Sequence, residues 1–203
     1  MKFGLFGSAQ AQRGGADLDS GAGFRDFIEY NVEAEALGYD SSFVVEHHFT
    51  GFGQVSASLN LLTWVAARTS TLRLGTAVLV LPWHNPVLLA EQAATIDLLS
   101  GGRLEFGVGR GYRANEFAGF CIPMDEAEER FEEGLAVILK AWTSNDRFSH
   151  RGKYWNFETS SWNRRHGRSR IRRSGWRRAS PPRSARWRNA ASSCCSTSSP
   201  RRR

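Results

Sequence analysis

An α/β fold built on parallel strands is predicted by three features of the chain. Segments of strand and helix character alternate four times between Lys2 and Trp142. The segment Leu72 to Val80 is mostly apolar, with β-branched Thr76, Val78 and Val80, and it stops at Pro82. Such a run suits a strand buried on both faces, as helices on either side of a parallel sheet impose. Successive parallel strands also need crossover connections, which the intervening helical segments supply. The pattern fits both a (β/α) barrel and an open doubly wound sheet.

Lys2 to Gly7 reads as the first strand, followed by a Gly/Ala/Gln/Asp-rich loop from Ala9 to Gly23. Phe24, Phe27, Ile28, Val32 and Leu37 recur near helical spacing, and Gly38 supplies the stop. Ser42 to Val45 is a short second strand running into Glu46-His47-His48. Ser58 to Ala67 carries Leu59, Leu62, Val65 and Ala66 on one helical face. After the Leu72–Val80 strand, Pro86 opens a third helix at its favoured first turn, and this helix runs to about Leu99. Ser100-Gly101-Gly102 turns the chain into Leu104 to Val108, a fourth strand. Asp125 to Trp142 forms a helix with an acidic first turn, which the helix dipole favours. Phe148 to Phe157 reads as a hairpin around Gly152.

Charge divides the chain at Thr159. All 20 acidic residues precede it, with 13 of the 27 Lys and Arg, so residues 1–158 carry −7 and residues 159–203 carry +14. The overall +7 therefore describes neither part. The three cysteines, Cys121, Cys194 and Cys195, have neither disulfide nor metal-ribbon spacing. A reducing cytoplasm is the expected location. The longest apolar runs, such as Ala77 to Leu81, fall far short of the ~20 residues that cross a bilayer.

Two segments carry chemistry. Glu46-His47-His48 follows a strand, at the end where catalytic groups gather in parallel α/β proteins. Gly107-Val108-Gly109-Arg110-Gly111 also follows a strand; its glycines permit close backbone approach, and Arg110 offers a charge for a phosphate. Each has a plainer reading, a hydrogen-bonded turn for the histidines and a tight turn for the glycines. No metal site is expected, because adjacent residues on an extended chain point to opposite faces. Tyr112 stands where a dinucleotide fingerprint needs its third glycine. Cys121 is expected to be a small core residue.

The first 158 residues resemble the bacterial luciferase-like flavin-dependent monooxygenases. The likeness runs through Met1-Lys2-Phe3-Gly4, Ala36-Leu37-Gly38-Tyr39-Asp40 and Val45-Glu46-His47-His48-Phe49-Thr50-Gly51-Phe52-Gly53. It continues through Leu74-Gly75-Thr76-Ala77-Val78, Leu81-Pro82, His84-Asn85-Pro86-Val87 and Ala90-Glu91-Gln92. It closes with Asp97-Leu98-Leu99-Ser100-Gly101-Gly102-Arg103-Leu104 and Phe106 to Gly111. The resemblance implies a TIM-like (β/α) barrel, here truncated to roughly its first half, since a full barrel takes roughly 250 residues and eight strands. It implies reduced FMN as cofactor, in preference to a deazaflavin, with O2 and a small organic substrate as reactants and a separate flavin reductase as partner.

The resemblance also implies roles. His47 matches a catalytic histidine that moves protons beside the flavin, a task suited to an imidazole near neutral pH. Ala77 and Val78 match a pair joined by a cis peptide against the flavin ring. Arg110 matches a phosphate-binding arginine, while Val45 and Gly109 would line the ring pocket. Luciferase itself has a reactive cysteine where this chain has Gly109, which argues for oxygenation without light emission. A non-catalytic barrel fragment is the alternative, against which stands the retention of His47 and Arg110.

Residues 159–203 are rich in Arg, Ser and Trp, with too few aliphatic residues to repay ordering, and are expected to be disordered. Read one base out of frame, Ser161 through Arg165 can encode Val-Val-Glu-Pro-Pro, and Ile171 through Ala179 can encode His-Pro-Pro-Ile-Trp-Met-Ala-Ala-Gly. Both strings resemble the family's next segment, so the tail reads as a frameshift product. The rival reading is a nucleic-acid arm, with Arg on phosphates and Trp stacked on bases. A half barrel would leave strand edges and an apolar face uncovered, which predicts association or dimerisation and weak flavin binding.

Overall fold

The computed structural model describes residues 1–15 and 17–160, and the readings made for residues 161–203 lie outside it. The fold is α/β. Four strands, β1 (Gly4–Gly7), β2 (Ser41–Val44), β3 (Arg73–Thr76) and β5 (Leu104–Glu105), form one parallel sheet in the order β1-β2-β3-β5. The register sets Leu5 beside Ser42, Ser42 beside Leu74 and Leu74 beside Leu104. Helices α1 (Ala22–Ala36), α2 (Ser58–Arg68) and α3 (Pro86–Leu99) are the crossovers. The short α4 (Ala114–Gly119), the long α5 (Ala127–Thr143) and an antiparallel hairpin, β7 (Phe148–Arg151) and β8 (Asn156–Ser160), follow. β8 runs across the expected boundary at Thr159. Among the described residues the sheet is open.

Side chains alternate across a strand, and the two sheet faces differ accordingly. Val44, Leu72 and Leu74 are fully buried with Leu62, Val65, Leu89, Ile96 and Ile138, so one face packs on the helices. Each such leucine contributes about 1.5–3 kcal/mol by leaving water. The opposite face carries Phe6, which is 70% exposed, Phe43, whose ring lies over Gly75, and the Arg73–Glu105 ion pair.

The single strand expected over Leu72 to Val80 is two: β3, and then β4 (Leu79–Val80), separated by a cis peptide between Ala77 and Val78. The fourth strand is likewise split into β5 and β6 (Val108–Gly109), and β4 pairs with β6 in parallel. Thr76 accounts for the interruption. Its hydroxyl donates to the Gly107 carbonyl at 2.7 Å and accepts the Gly107 amide at 2.9 Å, taking over what a ladder would do. Gly107 is obligatory there, because a side chain would collide with the Thr76 carbonyl.

Local signals explain the helix ends. Asn85 caps α3 by accepting the Val87 and Leu88 amides, with Pro86 in the first turn. Gly38, at φ +85, ends the turn after α1. Two carboxylates fasten turns to helices. Glu35 of α1 accepts the amides of Ser70, Thr71 and Leu72 just before β3. Burial raises the Glu35 pKa, yet these donors outweigh it and hold the group at about 2. Glu133 of α5 accepts the amides of Lys153, Tyr154 and Trp155 and meets the His150 ring, pinning the hairpin.

Candidate active site

The carboxyl ends of β2, β3 and β6 bring the Glu46-His47-His48 segment, the Ala77–Val78 peptide and Gly109-Arg110 to one end of the sheet system. His47 leaves β2 with its amide bound to the Val55 carbonyl. Its Nδ1 lies 3.0 Å from Glu116 Oε1, and the same oxygen accepts the His48 amide at 3.0 Å. Glu116 sits on α4 and is 2% exposed. A carboxylate on Nδ1 selects the tautomer with Nδ1–H, which leaves the lone pair on Nε2. Nε2 makes no hydrogen bond among the described residues, and the His47 side chain retains 14% of its exposure.

A second buried carboxylate lies one residue earlier. Glu46 Oε1 accepts from His48 Nε2 at 2.8 Å, His84 Nε2 at 2.7 Å and Trp83 Nε1 at 3.3 Å. Oε2 accepts the Val80 amide at 2.8 Å. Burial pushes the Glu46 pKa up, but the donors from His48, His84 and Val80 and the charge of His84 overcome it and hold the group at about 2. His48 and Trp83 belong to an aromatic cluster with Phe49, Phe117 and Phe120, packed edge to face apart from the stacked Trp83–Phe120 pair and the tilted His48–Phe49 pair.

A depressed carboxyl pKa contributes stability above the unfolded value near 4.5, and this is lost as pH falls toward about 2. For Glu46, whose side chain has no exposure, the contribution is on the order of 3 kcal/mol. Urea unfolding of the wild type is therefore expected to lose stability steeply across that window, and Glu46→Gln to show a shallower loss. Parallel pH profiles for the two chains would refute the assignment.

Each residue singled out from the sequence has a defined place. Val45 is half-buried against the core and its carbonyl accepts the Ser58 hydroxyl at 2.8 Å. Ala77 is half-buried and Val78 is 37% exposed, its side chain lying against Gly109. Arg110 follows Gly109, the partner of Val80, and its guanidinium is paired with Glu128 at 2.8 Å. Cys121 departs from expectation: it is exposed, at φ +56 in the turn after α4, a strained corner and not a core position. Sequence reasoning missed Glu116, Trp83 and His84. Glu116 lies in a short helix without clear periodicity, whereas His84-Asn85-Pro86 offered a usable signal in a histidine placed directly after a strand. Two surface hollows lie elsewhere. One of about 450 Å³ is lined by Gly7, Ser8, Gly23, Asp26, Phe27 and Tyr30, and one of about 210 Å³ runs between α2 and α3. No group of His, Cys, Asp and Glu among the described residues is arranged to hold a metal ion. No described helix is long and apolar enough to cross a membrane.

The parallel sheet with its histidine–carboxylate cluster at the strand ends defines an α/β protein with a candidate active site in the usual place for its class. The chain belongs to the luciferase-like monooxygenase family, whose model matches residues 1–182. It is 37% identical over 140 residues to an F420-dependent glucose-6-phosphate dehydrogenase of Amycolatopsis mediterranei, covering 66% of this chain and 42% of that protein. It is 30% identical over 136 residues to the oxygenase component of the flavin-dependent trigonelline monooxygenase of Acinetobacter baylyi, covering 66% and 37%. The crystal structure of the monooxygenase RslO1 from Streptomyces bottropensis superposes with a TM-score of 0.70 at 31% identity, covering 78% of this chain and 48% of that one. The chain thus spans less than half the length of the relatives it matches.

Proposed function

We infer that the chain carries the first half of a (β/α)-barrel monooxygenase that uses reduced FMN and O2 on a small organic substrate. The observation that supports this most is the His47–Glu116 dyad, placed after β2 at the same end of the parallel strands as Ala77–Val78 and Gly109. The side chains present suit such a cofactor: exposed apolar surface at Val78, half-buried Val45, an imidazole nitrogen with no partner among the described residues and a guanidinium at a strand end. When bound, reduced FMN would supply the electrons that activate dioxygen.

The chain's own part is positional and protonic. Val45, Ala77, Val78 and Gly109 provide a wall for a planar ring. Arg110 exchanges Glu128 for a phosphate, a charge-assisted contact of the kind guanidinium makes well. Glu116 keeps His47 in one tautomer, so that Nε2 accepts or returns a proton at a fixed point. The relative named as an oxygenase component supports a separate flavin reductase as partner. The F420-dependent relative favours a second reading, hydride transfer with a deazaflavin and no dioxygen.

Anaerobic titration of the purified chain with reduced FMN and with F420, followed by tryptophan fluorescence, separates the two. Reduced FMN is expected to quench the fluorescence saturably. The decisive quantity is a ratio. Arg110→Ala should weaken binding about tenfold, the loss of one charge-assisted hydrogen bond. Equal affinities for the two chains would remove the phosphate role and with it the reading.

A further inference from the structure

We propose that Glu46 is a positioning residue, whose buried carboxylate locks the His47-bearing turn against the strand that follows Ala77–Val78. This rests on the proton-transfer reading of His47, and it concerns a residue to which that reading gave no task.

The case is geometric. Glu46 has a fully enclosed side chain and four donors from two stretches of chain. His48 belongs to its own turn. Val80 lies in β4, and Trp83 and His84 follow it. Val80 is also the partner of Gly109, so one carboxylate ties the turn after β2 to the strand pair leading to Arg110. The tie reaches His47 through His48. The His48 ring is held by Glu46 and packed on Trp83 and Phe120, while its amide shares Glu116 Oε1 with His47 Nδ1. Loosening the His48 ring therefore frees the backbone that presents His47 to Glu116.

A buried carboxylate with both imidazoles donating Nε2–H to one oxygen is costly unless every donor is in place. Core packing at this point would be met more cheaply by an apolar side chain beside Trp83. What the carboxylate adds is direction: it fixes the rotamers of His48 and His84 at once, as outer carboxylates fix the orientation of working imidazoles.

The test uses the whole chain without cofactor, with labelled histidine side chains read by long-range nitrogen–proton NMR in mildly alkaline buffer. The wild type should show His47 as one tautomer, protonated at Nδ1. In Glu46→Gln the His47 nitrogens should move to averaged positions, with loss of the single-tautomer signature. His150, which pairs with Glu133 in the hairpin, reports whether the fold survives. A His47 that keeps its tautomer while His48 and His84 alone change overturns the proposal. If Glu46→Gln abolishes the native His150 signal, His48→Phe, which keeps an aromatic ring but removes the contact to Glu46, is read by the same criterion. Failure here leaves the FMN reading standing. Equal FMN affinity of wild type and Arg110→Ala sinks that reading and leaves the clamp untouched.

Discussion

Phe117→Ala is expected to destabilise the chain by about 4 kcal/mol, the range for deleting a buried phenyl ring with little collapse around it. Phe117 is 1% exposed and meets Trp83 edge to face at 5.1 Å between ring centroids. A side chain at Gly111 would collide with Val80 and crowd the Phe117 ring, so the ring sits in a closely packed corner. The void would open beneath α4, beside Glu116. Two readouts are therefore expected to fall together: the urea midpoint, and the single tautomer of His47. A loss below about 1 kcal/mol would mean that α4 closes over the gap, and that the helix is less fixed than its burial indicates.

Arg103→Met is expected to cost about 3 kcal/mol, from guanidinium hydrogen bonds lost and carbonyls left without donors. All five N–H groups of this side chain are used. Nε donates to Ser100 O, Nη1 to Thr69 Oγ1 and Leu72 O, and Nη2 to Ala66 O and Thr69 O. Two of those carbonyls, of Ala66 and Thr69, belong to the C-terminal end of α2, where a cation also meets the helix dipole favourably. Arg103→Lys should recover less than half, because an ammonium offers three donors from one point and cannot span the four carbonyls. Thermal melts of the two variants decide the matter. A lysine variant as stable as wild type would show that charge, and not the planar fork, is what matters.

Much of the framework was legible because periodicity and punctuation agree. Asn85-Pro86 announces α3, Gly38 marks the end of α1, and the alternation of apolar segments with helical ones implies parallel pairing. The breaks in the third and fourth strands were not legible. They depend on the Thr76 hydroxyl meeting Gly107, a contact between residues far apart in sequence whose types fit an ordinary strand. The site followed the same division. His47 and Arg110 stand out through their place after strands and through the family resemblance. Glu116 and His84 matter because of what they touch, and only the fold brings them to His47 and Glu46. Arg103 sits in plain view after two glycines, yet nothing local tells a solvated arginine from one with every donor engaged.

The clips made by Glu35 and Glu133 bear on how this sequence can drift. Each holds three successive amides with a single carboxylate, a job that neither glutamine, with one oxygen acceptor, nor aspartate, with a shorter reach, can take over. An exposed acid such as Glu132 of α5 is replaceable surface charge. These two are not, and a mutational scan of the helices should find them as isolated intolerant sites in otherwise permissive surroundings.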